Sequence, residues 1–452
     1  MASTTTSVEQ DQNSNRTTLP LWPLSRLFFW KGDDEELKKA WNLYLNTVIP
    51  GVMLVAITIL AVFSIFWGSA WKNPDHTLPG WIVDFDGGQV GDFVAKTLLT
   101  ERGAILWEVV PALTAFPRGL GELTQAVKED RTWVAVVVNA DATLRLQDSI
   151  TSPNVSYDGT EAISIYAVEA RNENSYRYVI KPSVEASMHA VQLAFAVEFG
   201  ANMSSISNIN SIIAMSPQTI VNPLSFKFIN LIPFSQPVAV ATLSTGLIFV
   251  LIMSYFVVTI ANGARLASGL PKLLSFRHLI ALRLGTLFIV YFFLSLVYSL
   301  VNLAFKLDLG HKYGHGGFVL FWIVSWTYML AVGLALESLI TVMKQFVPFF
   351  LITWIVVNVS TNSYPIEVLP KIFHYGYATP FYNVSKAIRT IVFGTRNTLG
   401  KNVGILIIWV IISCTTLVGF QWYVRKREID AVREARHEHG VETPNGEKQQ
   451  QV

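Results

Sequence analysis

Asp84 and Asp86 flank Phe85 at strand spacing, which puts both carboxylates on one face beside the Gly87-Gly88 turn. Paired carboxylates can do acid/base work or hold a cation. At a strand end they also accept backbone N–H groups of the turn, and that structural role is the one the sequence favours for Asp84, Asp86 and Gly87. Glu337 differs: it is the one acid inside a long apolar stretch, and an ionisable group at membrane depth is a functional candidate by default. It can couple to a proton or a cationic substrate, or merely anchor its helix end by pairing with Lys344 or with the arginines between residues 265 and 283. His311 and His315 have i, i+4 spacing, which suits a metal on a helix, but Gly310, Gly314, Gly316 and Gly317 read as loop, so no metal is expected. There is no GxxxxGK[ST] phosphate loop, no HExxH and no GxSxG elbow. Neither an enzyme activity nor a cofactor is expected. The single cysteine, Cys414, lies in an apolar stretch and excludes an internal disulfide.

The elements that must position these residues are read from hydropathy. A bilayer core takes roughly 20 apolar residues of helix, and such stretches fall at 46–68, 238–260, 284–305, 318–342, 346–361 and 403–424. The expected fold is therefore a polytopic α-helical membrane protein with six spans. Lys and Arg gather at Arg265, Lys272, Arg277 and Arg283, at Lys344, and at Arg425, Lys426 and Arg427. By the positive-inside rule both termini are cytosolic, and the insert 72–236 lies on the other side. Arg283 and His278, at the start of the third span, are expected to snorkel to the interface. The fifth span is short and opens on Pro348, so residues 364–400, aromatic and Pro-punctuated, are read as an outer re-entrant or interfacial segment. Residues 1–18 are expected to be a disordered cytosolic tail, 19–45 an amphipathic lead-in at the membrane surface, and 425–452 a cytosolic tail.

The insert alternates strand and helix patterns. Strands are expected at Trp81–Asp86, Ile105–Val110, Thr132–Asn139 and Ser164–Glu169, and helices at Val90–Thr100, Gly119–Glu129 and Pro182–Gly200. This is an α/β extracytoplasmic domain between spans one and two. Of the Asn-x-Ser/Thr sequons, Asn154 and Asn202 are the credible glycosylation sites; Asn15 is on the cytosolic side, Asn358 at the membrane boundary and Asn383 in buried chain. Hydrophobic residues make up 51% and charged residues 15% of the 452 residues, too apolar for an ordinary soluble chain. A formal net charge of +2 and the lack of a basic run interleaved with aromatics exclude nucleic acid as a partner. The lipid bilayer is the partner that composition does imply.

Three sets of residues carry a family resemblance: Trp81-Ile-Val-Asp-Phe-Asp-Gly-Gly88 after the first span; Asn222-Pro223 with Ile232-Pro233-Phe234 before the second; and Leu369-Pro370, Gly376-Tyr-Ala-Thr-Pro380 and Arg389-Thr-Ile-Val-Phe-Gly394 before the last. Together these resemble the fungal nitrosoguanidine-resistance membrane proteins (DUF3533-type), a family similar to ABC-2 type exporter membrane domains. The resemblance covers roughly residues 40 to 425. It implies a plasma-membrane or other secretory-pathway protein associated with drug tolerance and membrane lipid organisation, and no known catalytic residue. Two readings follow. In one, the spans dimerise around a pathway that exports amphipathic compounds or moves lipid, with Glu337, Pro380 and Arg389 as pathway candidates and a separate ATPase or lipid-transport partner supplying energy. In the other, a non-transporting regulator alters lipid asymmetry or drug entry through partner proteins.

Overall fold

The computed structural model describes residues 35–71, 73–203 and 208–438. The expected tail at 1–18, the lead-in up to residue 34 and the end of the C-terminal tail lie outside the described residues. Residues 1–60 and 61–452 form two compact units. In the first, helix α1 (Glu35–Thr58) contains Pro50 and leaves Trp41, Leu43, Val52, Met53 and Ile57 exposed, an apolar surface suited to lipid rather than water. A π turn (Ile59–Phe63) follows, and α2 (Ser64–Trp71) already belongs to the second unit.

The second unit holds a sheet and a helix bundle. Strand β1 (Leu78–Asp84) leads through α3 (Gln89–Thr100) to β2 (Ile105–Val109), and α4 (Leu120–Lys128) leads to β3 (Val134–Val138). Helix α5 (Ala142–Thr151) precedes β4 (Ile163–Ala167), and α6 (Lys181–Asn202) precedes β5 (Phe226–Asn230). The strand order is β2-β1-β3-β4-β5, parallel except for the antiparallel β3–β4 pair. Helices cover both faces, so β3 and β4 are buried at every position, as a two-sided sheet requires. Val134, Val136 and Val138 pack with α3, α5 and α6 through Val94, Leu146, Val184, Met188 and Val191. Ala135 and Val137 face α4 through Leu123, Ala126 and Val127. The four strands expected from sequence are present within a few residues; β5 was not expected, because its Phe-Lys-Phe-Ile-Asn run adjoins the apolar stretch of the next span.

Among the described residues, five helical stretches are long and apolar enough to cross a bilayer: Lys38–Trp71, Ala241–Ala267, Phe276–Ala304, Gly316–Ser360 and Leu399–Ala435. The protein is thus a polytopic helical membrane protein. A π turn (Ala241–Thr245) opens helix α7 (Gly246–Ala267), which is followed by α8 (Phe276–Ala304) and α9 (Gly316–Met343). The expected fourth and fifth spans belong to one stretch, interrupted where Lys344 has φ +48° and a short 3₁₀ turn leads into α10 (Val347–Ser360), with Pro348 in its first turn. The chain reverses there, since Asn362, just past α10, donates to the Leu243 carbonyl at the start of the preceding α7 segment (3.0 Å). Residues 364–400 are packed: after two 3₁₀ turns, α11 (Pro380–Phe393) buries Val384, Ala387, Ile388, Ile391 and Val392, an i, i+3, i+4, i+7 stripe. Helix α12 (Leu399–Glu438) has 40 residues, about 60 Å of helix. It extends well past a bilayer core.

Helices α7, α8 and α9 interlock through Tyr291 of α8, which donates to the Ser254 carbonyl of α7 (3.1 Å) while its ring lies against Gly333 of α9. A Cβ at Gly333 would penetrate that ring, and Tyr291 is fully buried with nowhere to go. Gly333→Ala is therefore expected to destabilise the bundle by about 1–3 kcal/mol. The measurement is loss of monodisperse protein on heating in detergent, and a profile equal to wild type would show the interlock to be slack.

Candidate functional site

The chemistry-bearing residues converge at the end of the bundle remote from the sheet. Helix α7 brings Arg265 in its last turn, α8 brings Arg283 two turns in, and α9 brings Glu337. Glu337 Oε1 accepts from Arg265 Nη2 and from Arg283 Nε, each at 2.6 Å. Arg283 donates further to the Glu337 carbonyl and Thr341 Oγ1, both 2.8 Å, and to Gln421 Oε1 of α12 at 2.5 Å. Glu337 is 0% exposed, Arg283 4% and Arg265 8%. One carboxylate thus serves two guanidiniums, and its Oε2 has no hydrogen-bond partner among the described residues. Nearby in sequence to Gln421, Arg425 donates to the Leu274 carbonyl (2.9 Å) and keeps Nη1 buried without a partner. The cluster is positively charged overall and held away from water.

Two sequence expectations change here. Arg283 does not snorkel: α8 starts at Phe276, eight residues before the expected span, so Arg283 sits within the packed helix instead of at its margin. Lys344 is exposed and is not the partner of Glu337; the arginines are. Gln421 and Thr341 carried no sequence signal, since a lone amide or hydroxyl in a span reads as ordinary helix.

Pro380 is buried at the first position of α11, and Arg389 lies on the same helix, at the junction with the sheet. Arg389 Nη1 pairs with Glu173 Oε2 (2.6 Å) and donates to the Ala170 carbonyl (3.0 Å). Burial by itself would raise the Glu173 carboxyl, but the Arg389 charge and hydrogen bond outweigh it and hold it below the usual carboxylate range. Beside this pair a cavity of about 20 Å³, lined by Arg171, Glu367, Tyr382 and Lys386, has room for about one water.

At the far end of β1, Asp84 Oδ1 accepts from the backbone of Asp86 (2.8 Å) and Gly87 (3.1 Å), and Gly87 takes φ +60°. Asp86 accepts from the Thr143 N–H (2.9 Å) and hydroxyl (2.5 Å), and Thr143 Oγ1 in turn accepts from the Val90 N–H (3.1 Å). The two aspartates therefore close a turn and tie the starts of α3 and α5 together. Burial pushes the Asp84 carboxyl up, with the two backbone donors opposing. Asn154 and Asn202 are exposed, whereas the amides of Asn358 and Asn383 donate to buried backbone carbonyls of Trp354, Tyr377 and Thr379. Among the described residues no group of three His, Cys, Asp or Glu could hold a metal.

Removing one partner of a buried ion cluster leaves the others uncompensated, at a cost of about 3–5 kcal/mol. Glu337→Gln keeps shape but strands both arginines, so it is expected to lower stability on that scale, while Lys344→Ala stays within about 0.5 kcal/mol of wild type. Thermal melts of the purified variants in detergent check this. Equal melts for Glu337→Gln and wild type would mean that the carboxylate does not hold the arginines.

Comparison with known proteins fits this architecture. An uncharacterized endoplasmic reticulum membrane protein of Saccharomyces cerevisiae is 27% identical over 190 residues, 41% of this chain. The match spans 37% of that relative's length. No solved structure matches. Residues 51–415 match the family described as "Protein of unknown function (DUF3533)". With the match running from the first apolar helix through the sheet and into the last one, the chain belongs to the DUF3533 family.

Proposed function

We propose that this protein moves amphipathic compounds or lipid across its membrane as an ABC-2-like carrier, and that resistance to toxic compounds follows from that movement. The observation that carries the reading is the charged seam: Arg265, Arg283, Glu337 and Gln421 come from four helices to one buried point. Charged groups at membrane depth are expensive to keep, and they mark pathways for polar or charged cargo. The arrangement of charge supports a six-span topology. Arg265, Lys272, Arg277, Lys344 and Arg425 lie at the seam end of the bundle, opposite the sheet, so the positive-inside rule puts that end and both termini in the cytosol and the α/β domain outside. On this reading α10, 14 residues or about 21 Å, makes the short fifth crossing, and α11 fills the remaining depth.

With no phosphate-binding loop in the chain, uphill export needs a separate ATPase or lipid-transport partner, and a homodimer is the simplest way to enclose a pathway. The plasma membrane suits a resistance role, and the location named for the yeast relative keeps the endoplasmic reticulum in view. The second reading, a regulator that acts through partner proteins, is favoured by one observation: each of the three guanidinium nitrogens of Arg283 has an acceptor, as in a static scaffold.

Downhill movement needs no ATP, so purified protein in liposomes separates the two readings. Acceleration of a fluorescent amphiphile across the bilayer, relative to empty liposomes, is the expected result; a rate equal to that of empty liposomes sinks the carrier reading and leaves the regulator. The topology has its own check. If the sheet domain faces the secretory lumen, glycosidase shifts the wild-type band, and Asn154→Gln with Asn202→Gln removes the shift.

A further inference from the structure

At the end of the bundle opposite the arginine cluster, a cleft of about 460 Å³ opens between the sheet domain and the helix ends. That volume lies in the range of small-molecule sites, roughly 300–1,000 Å³. Apolar side chains in its mixed lining are Leu231 and Ile232 after β5 and, largely covered by their neighbours, Val392 and Phe393 at the end of α11. Its rim is basic: Lys128 ends α4, and Lys306 and His311 sit in the connection between α8 and α9. Neither lysine side chain has an ion-pair or hydrogen-bond partner among the described residues. The neighbouring Lys312, by contrast, is spent on the Thr395 carbonyl (3.2 Å).

The walls are fixed rather than loose. Gln236 bridges three segments, accepting from the Asp308 N–H (2.8 Å) and donating to the carbonyls of Asp308 (3.3 Å) and Val392 (3.5 Å). Asp308, the one acid in the lining, accepts from the Gly310 N–H (2.8 Å), which ties it to its own turn. Gly394, at φ +69°, lets the His311 ring close over the end of α11. The cleft also stands at the level where spans end: the chain enters α7 just after residue 236, α8 ends at Ala304, and Phe305 beside Lys306 is 71% exposed. Apolar side chains beside two ammonium groups without partners among the described residues, at the level where the long helices end, suit one chemistry.

We propose that this cleft binds a lipid-type amphiphile through its phosphate-bearing headgroup, with Lys128 and Lys306 as the charge partners, His311 as a further donor, and the acyl portion against Ile232 and Phe393. The assignment rests on the carrier reading for the purpose of the bound molecule, which would be the cargo at its outer station. Binding itself is measured without transport. Loss of transport with binding retained therefore sinks only the carrier reading, and transport without binding sinks only this site.

The test uses the purified full chain in detergent and reads the thermal shift on titration with short-chain phosphatidate, inorganic phosphate, or short-chain diacylglycerol. Phosphatidate is expected to stabilise the wild type, and Lys128→Gln with Lys306→Asn to weaken its apparent Kd by about 30-fold, from roughly 1 kcal/mol per lysine. Asn is chosen at residue 306 because Lys306 has φ +60°, a conformation Asn tolerates. The double Arg variant is expected to retain binding, which guards against loss by misfolding. Three outcomes overturn the proposal: equal phosphatidate binding by wild type and the Gln/Asn variant, inorganic phosphate as effective as phosphatidate, or diacylglycerol as effective as phosphatidate.

Discussion

Charge balance inside the bundle is the constraint on which the membrane half depends. A guanidinium cannot lose its water without a partner, and neither can a carboxylate. Glu337 at 2.6 Å from both Arg265 and Arg283 therefore fixes the depth and rotation of three helices at once. A slide of one turn, about 5.4 Å, would break both contacts. The same faces carry the interlock one turn away: Gly333 precedes Glu337 by four residues, and Arg283, Leu287 and Tyr291 form a four-residue stripe along α8. Polar register and apolar packing are set by the same side of the same helices.

A second set of charges joins the sheet to the bundle. The chain leaving β4 carries Glu169, which accepts from the Phe234 N–H (3.0 Å) and pairs with Arg177 (2.7 Å), and Glu173, which pairs with Arg389. Arg171 in the same segment lies over the Trp133 ring (3.4 Å) and donates to the Thr132 carbonyl (2.8 Å). Apolar contacts reinforce these links, because Ala170 belongs to the bundle core and Val368 to the sheet core. Helix α11 is thus held by both halves.

The elements were legible in the sequence where one period dominated. β-branched runs gave β3 and β4, and the apolar windows gave the long helices, because burial on all sides leaves no room for polar residues. β5 escaped because its pattern merges with the following apolar chain, whereas the break between α9 and α10 was legible from Lys344 between two apolar windows and from Pro348. Of the chemistry, the turn role of Asp84 could be read from local spacing, since its partners are two and three residues away, whereas the partner of Asp86, Thr143, is 57 residues off. The partners of Glu337 were only half legible: arginines were among the options, but which ones, and the Gln421 contact 138 residues from Arg283, depend on tertiary packing. The cleft by Lys128 and Lys306 was not legible as a site, although Ile232-Pro233 and Val392-Phe393-Gly394 of its lining lie in strings that carried the family resemblance. It is assembled from four segments that no motif connects.

The position of Val368 has a consequence for how the chain is made. Its side chain is fully buried in the core of the sheet domain, and its carbonyl accepts from the Asp75 N–H (2.9 Å), just ahead of β1. Every strand of that domain has been synthesised by residue 230, yet this core residue emerges only after α7 to α10. The sheet must wait with an open seam while most of the helices are inserted. During that interval the apolar ground that Val368 covers is left open. Completion of the sheet domain thus depends on chain made after most of the helices, and a defect in late helix insertion would surface as an unfinished domain built from much earlier sequence.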